Sequence, residues 1–353
     1  MSLPTEELSR RLAVEAAVPT TPRVSVVTPC LNPGERLARC LASVAGQSYP
    51  GTEHVVVDGG SSDGTVGRLE LADGIRWLSE RDSGQVQAIN KGFRLASGSL
   101  LTWLNADDVL MPGTVGKAVA AFDGDPRLGF VYGDCRVVEC EREVLVWRAP
   151  RRLTIGLLEA GSSIPQPGAF VTRWALEQVG LLDESFELAM DVDLWLRLLG
   201  AGIPNRSVGG VVSEFELHPG SKTVSVPRQR FFDENARAFL LAGNPHGAAL
   251  SAGQAAAAAA TVEGLVDSGR LAAEIRKAQE ASRGWPQPAP ERTIRAAAVA
   301  EAAVIELRSS PKGLRHLLVL AVWRDRATRK RIRSAVRRVA PRAARRLLHL
   351  RCT

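Results

Sequence analysis

The stretch VSVVTPCLN (24–32), together with EHVVVD (53–58), decides the fold of this chain. Both are runs of β-branched residues that stop at polar or glycine-rich turns, as buried strands of a parallel sheet do. Between them apolar residues recur at i, i+4 and i+7 from Leu37 to Val44, which predicts a helix with a candidate cap at Asn32. The pattern therefore predicts a strand, a helix and a second, parallel strand.

The same alternation continues to about residue 209. Further strands are predicted at 75–78, 100–105 and 129–139, and further helices at 85–96 and 113–122. Strands that alternate with helices predict an α/β fold with a mostly parallel sheet. From about residue 224 the sequence becomes rich in alanine and the strand pattern disappears. The sequence thus predicts four segments, which are a leader at 1–22, an α/β domain at 23–223, an Ala-rich helical region at 224–310 and a basic amphipathic helical tail at 311–353.

The net charge of +7 on 353 residues conceals an asymmetry. Residues 311–353 carry two Lys and twelve Arg against one Asp, which is +13 and leaves −6 for the rest of the chain. The five cysteines are odd in number and lack C-x-x-C spacing, which favours free thiols in a reducing compartment over disulfides or a zinc site. We expect neither a signal peptide nor a membrane-spanning helix, because no apolar run of about 18 residues occurs.

Polar residues follow three of the predicted strands. They lie at 28–32 after the first strand, at 58–65 after the second and at 105–108 after the fourth. Each group alone has a simpler explanation, since DGGSSDGT is also a turn that caps the next helix, and Asp107 and Asp108 are also helix caps. Because the carboxyl ends of parallel strands meet at one edge of a sheet, the three groups together favour a ligand site.

Five segments, in this order and spacing, resemble the family 2 glycosyltransferases of GT-A fold. They are VSVVTPCLN (24–32), VVVDGGSSDGT (55–65), SERDSGQVQAINKGF (79–93), LTWLNADDVLMPG (101–113) and MDVDLWLRL (190–198). The resemblance covers roughly residues 23–223 and implies a Rossmann-like three-layer domain with a mostly parallel central sheet, followed by an α-helical C-terminal extension. The chain has no G-x-x-x-x-G-K-[ST] motif, which excludes a P-loop enzyme, and no G-x-G-T-R-L-type loop, which disfavours a sugar-nucleotide pyrophosphorylase.

The resemblance implies a site for a nucleotide-diphosphate sugar. Asp58 would receive the base, since a carboxylate suits an N–H of uracil or thymine, and this favours a UDP- or dTDP-sugar. Lys91 would offset the diphosphate charge, or else it is a solvated lysine on a helix face. The residues that match the family's donor-binding segments are Thr28, Pro29, Leu31, Glu35, Asp58, Asp82, Gly84, Gln85, Lys91, Asn105 and Ala106.

The resemblance also implies a divalent cation, Mg²⁺ or Mn²⁺, because Asn105-Ala106-Asp107 occupies the position of the family's D-x-D motif. Carboxylate oxygens suit these ions, and we expect Asp107 as the principal ligand with Asp108 in support. Asn105 departs from the motif, since an amide replaces its first carboxylate. His218, in the segment HPGSK (218–222), is a further candidate ligand, or else a surface or packed histidine.

Asp191 matches the carboxylate that the family uses as general base, although Met190 replaces the preceding Glu. Asp193 lies about 200° around a helix from Asp191, so we expect it to be structural. Gln166 and Trp195 are candidate contacts of the acceptor, with core packing as the alternative for the tryptophan.

These features predict an inverting glycosyltransferase that uses a metal-assisted single displacement in polysaccharide, cell-envelope or glycoconjugate biosynthesis. The acceptor would be a saccharide or a lipid-linked molecule. The alternative is a nucleotide-sugar-binding subunit whose catalytic positions have decayed, which Asn105 and Met190 favour.

The basic tail at 311–353 leaves three interpretations open. It is an amphipathic helix on an anionic membrane surface, an arm that binds nucleic acid, or a solvated or oligomerising helix. No nucleic-acid recognition module accompanies it, so a nucleic-acid partner is not expected. The expected location is the cytoplasm, with peripheral attachment to the inner face of the cell membrane.

Overall fold

The computed structural model describes residues 23–161, 163–262, 265–287 and 291–309. The leader predicted at 1–22 and the basic tail predicted at 311–353 lie outside the described residues. The strands are β1 (Val24–Cys30), β2 (Thr52–Asp58), β3 (Ile75–Ser79), β4 (Leu100–Trp103), β5 (Val109–Leu110), β6 (Phe130–Glu139), β7 (Arg142–Trp147), β8 (Phe170–Thr172), β9 (Asn205–Leu217), β10 (Thr261–Val262) and β11 (Leu265–Val266). The helices are α1 (Arg36–Ala45), α2 (Thr65–Glu70), α3 (Gln85–Leu95), α4 (Thr114–Gly124), α5 (Ile155–Glu159), α6 (Arg173–Val179), α7 (Met190–Gly200), α8 (Lys222–Ser225), α9 (Arg228–Leu241), α10 (Pro245–Ala259), α11 (Ser268–Ser282) and α12 (Glu291–Ser309).

The chain divides into two compact units. The first unit comprises residues 23–153 and 163–225, and the second comprises residues 154–161 and the described part of 226–309. The first unit contains one sheet in the order β3-β2-β1-β4-β8-β6-β9-β5, with β7 paired to β6. Strands β3, β2, β1 and β4 are parallel to one another, as are β6 and β9. The α/β fold and its helical C-terminal region are as predicted, whereas β5, β7 and β8 add antiparallel pairs.

The first βαβ unit forms because its apolar pattern is buried on both sides. All seven residues of β1 are buried, and α1 buries Leu37, Cys40 and Val44. The helix begins at Arg36 and Asn32 does not cap it. Asn32 instead adopts a left-handed backbone with φ of 48°, a conformation that asparagine tolerates better than most residues. This leaves its side chain free to bind the next loop.

Helix α3 approaches β1 closely because Gly92 has no side chain. A Cβ atom at Gly92 would lie 2.2 Å from Cγ1 of Val27 in β1. The close approach places the first turn of α3, which starts at Gln85, beside the end of β4.

Three aromatic rings fix α7 against the sheet. The ring of Trp195 lies 6.2 Å from that of Trp103 and 5.6 Å from that of Phe130, and both pairs are stacked. Trp195 is completely buried. Aromatic pairs of this kind contribute about 0.5–1.5 kcal/mol beyond their burial. The stack therefore fixes the position of α7 relative to β4, and the first turn of α7 carries Asp191.

The second unit is helical, apart from the short β10–β11 hairpin. Helix α10 packs against α9, α11 and α12 and buries small residues almost throughout. A Cβ atom at Gly253 would lie 2.3 Å from the carbonyl oxygen of Ile294, so α10 and α12 approach each other closely. Among the helices of the described residues, none combines the length and the apolar character needed to cross a bilayer.

Candidate active site

A cavity of about 840 Å³ opens in the first unit where β1 and β4 end. We call it the donor cavity, after the nucleotide-sugar donor that the sequence resemblance predicts. Its wall combines the loop after β1, the start of α3, the loop after β4, the segment before α7 and the loop after β9. The wall residues that matter below are Pro29, Leu31, Arg36, Asp82, Gly84, Gln85, Asn105, Ala106, Asp107, Glu184, Glu187, His218 and Lys222. The predicted meeting of the polar strand ends thus occurs at this edge of the sheet.

The loops after β1 and β2 are joined by hydrogen bonds. The backbone N–H of Ser62 donates to Oδ1 of Asn32 at 2.8 Å, and the N–H of Asn32 donates to Oγ of Ser61 at 2.7 Å. The N–H of Gly34 donates to Asp63 at 2.9 Å. These contacts fix the shape of the loop that carries Leu31, which is 60% exposed at the mouth of the cavity.

Asp58 ends β2 and is fully buried. Burial by itself raises the pKa of this carboxyl, but hydrogen bonds from Ser61, Ser79 and the backbone of Gly60 outweigh burial and lower the pKa below its ordinary value. The carboxylate is therefore ionised and held in place. It is not among the wall residues of the donor cavity, so a contact with a base would require one of these hydrogen bonds to be exchanged.

Asn105 connects α3 to the loop after β4. Its Oδ1 accepts a hydrogen bond from Nε2 of Gln85 at 2.7 Å, and its Nδ2 donates to Oδ2 of Asp108 at 2.9 Å. Asp108 is completely buried, and burial together with the charge of Asp107 raises its pKa. The prediction that Asp108 binds the metal is not supported, because this carboxylate lies behind Asn105 and orients its amide.

His218 and Asp107 meet across the cavity wall. Nε2 of His218 lies 2.9 Å from Oδ2 of Asp107, although the two residues are 111 positions apart. Nδ1 of His218 accepts a hydrogen bond from the N–H of Gly220 at 3.1 Å. The neutral ring therefore carries its proton on Nε2 and donates it to Asp107.

The end of β9 is held in place by ion pairs with α1. Glu214 and Glu216 on β9 bind the guanidinium of Arg39 at 2.7 Å and 2.9 Å. Arg36, which lines the cavity, lies 3.5 Å from Glu216. These pairs place His218, directly after β9, beside Asp107.

The cations of the cavity wall are not those expected from the sequence. Lys91 was predicted to face the diphosphate, but its Nζ lies 2.7 Å from Glu80 and donates to the carbonyl of Arg81 at 3.1 Å, and it is not a wall residue. Arg36 and Lys222 line the cavity instead. Arg36 was not among the residues expected from the sequence. The signal available for it was its position in the first turn of the helix that follows β1.

Asp191 lies in the first turn of α7 and is half-buried. Its Oδ1 accepts a hydrogen bond from the N–H of Val192 at 2.8 Å. Burial raises its pKa to about 6, against the opposing effect of the backbone hydrogen bonds. Asp193 faces elsewhere and forms an ion pair with Arg197 at 2.7 Å, as its position on the helix predicts. The segment that lines the cavity through Glu187 leads directly into α7, but Asp191 itself is not among the wall residues.

Four other predicted contacts lie away from the cavity wall. Thr28 is buried and bonded to Nε2 of His54 at 2.9 Å, and the exposed Glu35 pairs with Arg68 at 3.0 Å. Gln166 donates from Nε2 to the carbonyl of Trp103 at 2.7 Å. The predicted acceptor contact of Trp195 is wrong, because its ring is completely enclosed by the stack with Trp103 and Phe130.

The sequence of this chain is similar to those of known glycosyltransferases. The profile of the family described as Glycosyl transferase family 2 matches residues 25–169. An uncharacterized glycosyltransferase of Mycobacterium tuberculosis is 34% identical over 185 residues, which is 50% of this chain and 69% of that protein. A PGL/p-HBAD biosynthesis glycosyltransferase of Mycobacterium bovis is 39% identical over 122 residues, which is 32% of this chain and 46% of that protein.

Solved structures give a comparison at the level of the fold. The crystal structure of S. aureus TarS 1-349 in complex with UDP-GlcNAc superposes with a TM-score of 0.57 at 16% sequence identity, covering 84% of this chain and 90% of that chain. At this identity the likeness concerns the fold alone, and it confirms the predicted GT-A-type architecture.

Proposed function

Because the chain belongs to the family 2 glycosyltransferases, we propose that it transfers a sugar from a nucleotide-diphosphate donor to an acceptor hydroxyl with inversion at the anomeric carbon. The donor would occupy the donor cavity, with a UDP- or dTDP-sugar favoured. The observation that supports this most directly is the cavity wall itself, where Asp107, His218 and the Gln85–Asn105 pair come together from separate parts of the chain.

We assign Asp107 as the residue that would hold Mg²⁺ or Mn²⁺, and His218 would join it through Nε2 once that nitrogen has given up the proton that it donates to Asp107. Within the described residues no group of three or more His, Cys, Asp and Glu side chains is arranged to enclose a metal ion. Mg²⁺ sites of nucleotide-binding enzymes fit this pattern, since they commonly use one or two protein ligands together with phosphate oxygens of the substrate. A bound cation would neutralise the charge that develops on the diphosphate leaving group.

Asp191 is our proposed general base. Its raised pKa of about 6 allows it to be ionised at neutral pH and still to accept a proton from the attacking hydroxyl. The position of α7 is fixed by the aromatic stack, and this rigidity would keep the carboxylate aligned with the anomeric carbon. Arg36 and Lys222, which line the cavity, would face the phosphates.

A donor screen tests the proposal. UDP-, dTDP- and GDP-sugars are titrated with Mn²⁺ present or chelated, and the melting temperature of the chain is followed, since a ligand that binds only the folded state raises it. We expect one nucleotide class to stabilise wild type in a Mn²⁺-dependent way, and the variants Asp107→Asn and His218→Asn to lose that dependence. The charge control Lys91→Gln should behave as wild type. If no nucleotide sugar stabilises the chain under any condition, the proposal is wrong.

The second candidate is a subunit that binds nucleotide sugars without turnover. Asn105 in place of a carboxylate and Met190 in place of a glutamate favour it. The two functions differ in one observable, which is release of the nucleotide diphosphate when donor, Mn²⁺ and a cell-envelope extract are combined. Tight Mn²⁺-dependent donor binding without any release of diphosphate would support the subunit.

For the acceptor we propose a saccharide or a lipid-linked molecule of the cell envelope, on the inner face of the membrane. The name of the M. bovis relative, a PGL/p-HBAD biosynthesis glycosyltransferase, supports this class. The basic segment 311–353 would provide attraction to an anionic surface. Replacing Arg337 and Arg338 by Gln should weaken sedimentation with phosphatidylglycerol vesicles. Unchanged sedimentation would argue against this role of the tail.

A further inference from the structure

A second cavity, of about 750 Å³, lies in the first unit away from the donor cavity. We call it the cationic cavity. It is formed by the second half of α4, the segment at Arg151 and Arg152, and the first residues of β9. Its charged wall residues are Lys117, Arg151, Arg152 and Arg206, and its wall includes no acidic residue among those described.

These four cations are grouped around one cavity whose wall offers them no carboxylate. Among the described residues none of them forms an ion pair, whereas Arg36 and Lys222 in the donor cavity lie near Glu216 and Glu187. Asp125 forms an ion pair with Arg127 at 3.0 Å, and the more distant charge of Arg206 adds to the lowering of its pKa. Four like charges around one cavity repel one another, and an anion would relieve that repulsion.

The backbone around the cationic cavity is fixed. The N–H of Ser207 donates to the carbonyl of Arg151 at 2.9 Å, which attaches the 151–152 segment to β9. The buried Asn205 accepts hydrogen bonds from the N–H of Leu153 at 2.8 Å and from the hydroxyl of Tyr132 at 3.0 Å. Arg206 donates to the carbonyl of Ala121 near the end of α4 at 2.9 Å. The cations are therefore presented by a scaffold that is already ordered.

We propose that the cationic cavity binds a phosphate-bearing anion, such as a diphosphate or a phosphodiester headgroup. Guanidinium groups bind phosphate oxygens through paired hydrogen bonds, and three of the four cations are arginines. The volume falls within the range of roughly 300–1,000 Å³ that is usual for ligand sites.

This site is separate from the proposed transfer chemistry. Asn205 and Arg206 begin β9, whereas His218 of the donor cavity follows its last residue. Thirteen residues of strand span roughly 40 Å at about 3.3 Å per residue, less where the strand is irregular. An anion in the cationic cavity would therefore hold the protein to a phosphorylated partner without contacting the donor.

The test compares two double variants of equal net charge. Arg151→Gln with Arg206→Gln removes two charges from the cationic cavity, and Arg94→Gln with Arg142→Gln removes two exposed arginines elsewhere on the first unit. Binding of inorganic diphosphate is measured by calorimetry, and binding to vesicles of phosphatidylcholine and phosphatidylglycerol is measured by sedimentation. The tail is present in every protein and contributes equally.

We expect the cavity variant to lose about tenfold or more in affinity and the control to stay near wild type, since only the first variant removes charge-assisted hydrogen bonds to the phosphate. A loss in the diphosphate arm identifies a soluble phosphate ligand, and a loss confined to vesicles identifies a lipid headgroup. Equal behaviour of the two variants in both arms overturns the proposal. If the first variant does not fold, Lys117→Gln with Arg152→Gln replaces it, because these two side chains make no hydrogen bond within the described residues.

Discussion

Single residues of the matching motifs have properties that the sequence does not reveal. Asp191 is recognisable from its motif, but its elevated pKa results from burial in the folded protein. Lys91 also lies in a matching motif, yet Glu80, directly after β3, binds it. The motifs therefore predicted which polar residues to consider. Contacts with other residues in the folded protein decided which of them line the cavity.

The first prediction concerns the pH profile of Asp191. A general base works only when it is ionised, so transfer should fall as pH drops below about 6 and level off above it. Asp191→Asn should lower the rate by about 10²–10⁴-fold on the plateau above pH 6 and remove the fall below it, with donor affinity retained. Initial rates from pH 5 to 8 check this.

The matched control is Glu187→Gln, which removes a carboxylate that does line the cavity wall. A larger loss of rate in this variant than in Asp191→Asn would show that Asp191 is not the base.

The second prediction follows from the positions of two cations. Arg36→Gln should weaken donor binding, because this side chain lines the cavity. A loss of about tenfold is expected for one charge-assisted contact with phosphate. Lys91→Gln should change donor affinity less than about twofold, because Lys91 is bound to Glu80 away from the cavity. Equal losses in the two variants would contradict this placement.

At the scale of elements, the parallel strands and their helices follow from periodicity, but the short antiparallel strands do not. β5 has two residues and β8 has three, which is too short for any alternation to be read. Their position depends on pairing with β9, β4 and β6, contacts that join distant parts of the chain. The close packing of α3 on β1 is likewise invisible in the sequence, because a glycine in a helix also occurs without any neighbour.

The third prediction uses two glycines that differ only in their surroundings. Gly92→Ala should destabilise the protein by about 1–3 kcal/mol, since the new Cβ would overlap Val27. Gly116→Ala, in α4, should stabilise it by about 0.4–1 kcal/mol, because nothing lies within 4 Å of that position and alanine favours a helix. Urea unfolding curves measure both changes. A stabilised Gly92→Ala would show that α3 and β1 are less closely packed than described.

At the scale of the whole molecule, the described residues that line the donor cavity all belong to the first unit. Gly253→Val, within α10 of the second unit, should lower the unfolding midpoint because its side chain would meet Ile294 and Ala297 in α12. The loss should be at least about 1–3 kcal/mol, and donor affinity at a temperature where the variant stays folded should remain within about twofold.

The control for this prediction is Gly284→Ala, whose Cβ would make only ordinary contacts. Donor affinity that falls together with the stability of Gly253→Val would contradict the independence of the donor cavity from the second unit.

The pairing of Asp107 with His218 also bears on synthesis of the protein. Since 111 positions separate the two residues, a ribosome that has released β1 to β4 has produced the carboxylate but not the imidazole. The pair comes into existence only after β9 has left the exit tunnel and aligned with β6, near the end of sheet assembly. On the proposed assignment a nascent chain would consequently have no complete metal-ligand pair, and the cation would be loaded only into a domain that has already finished folding.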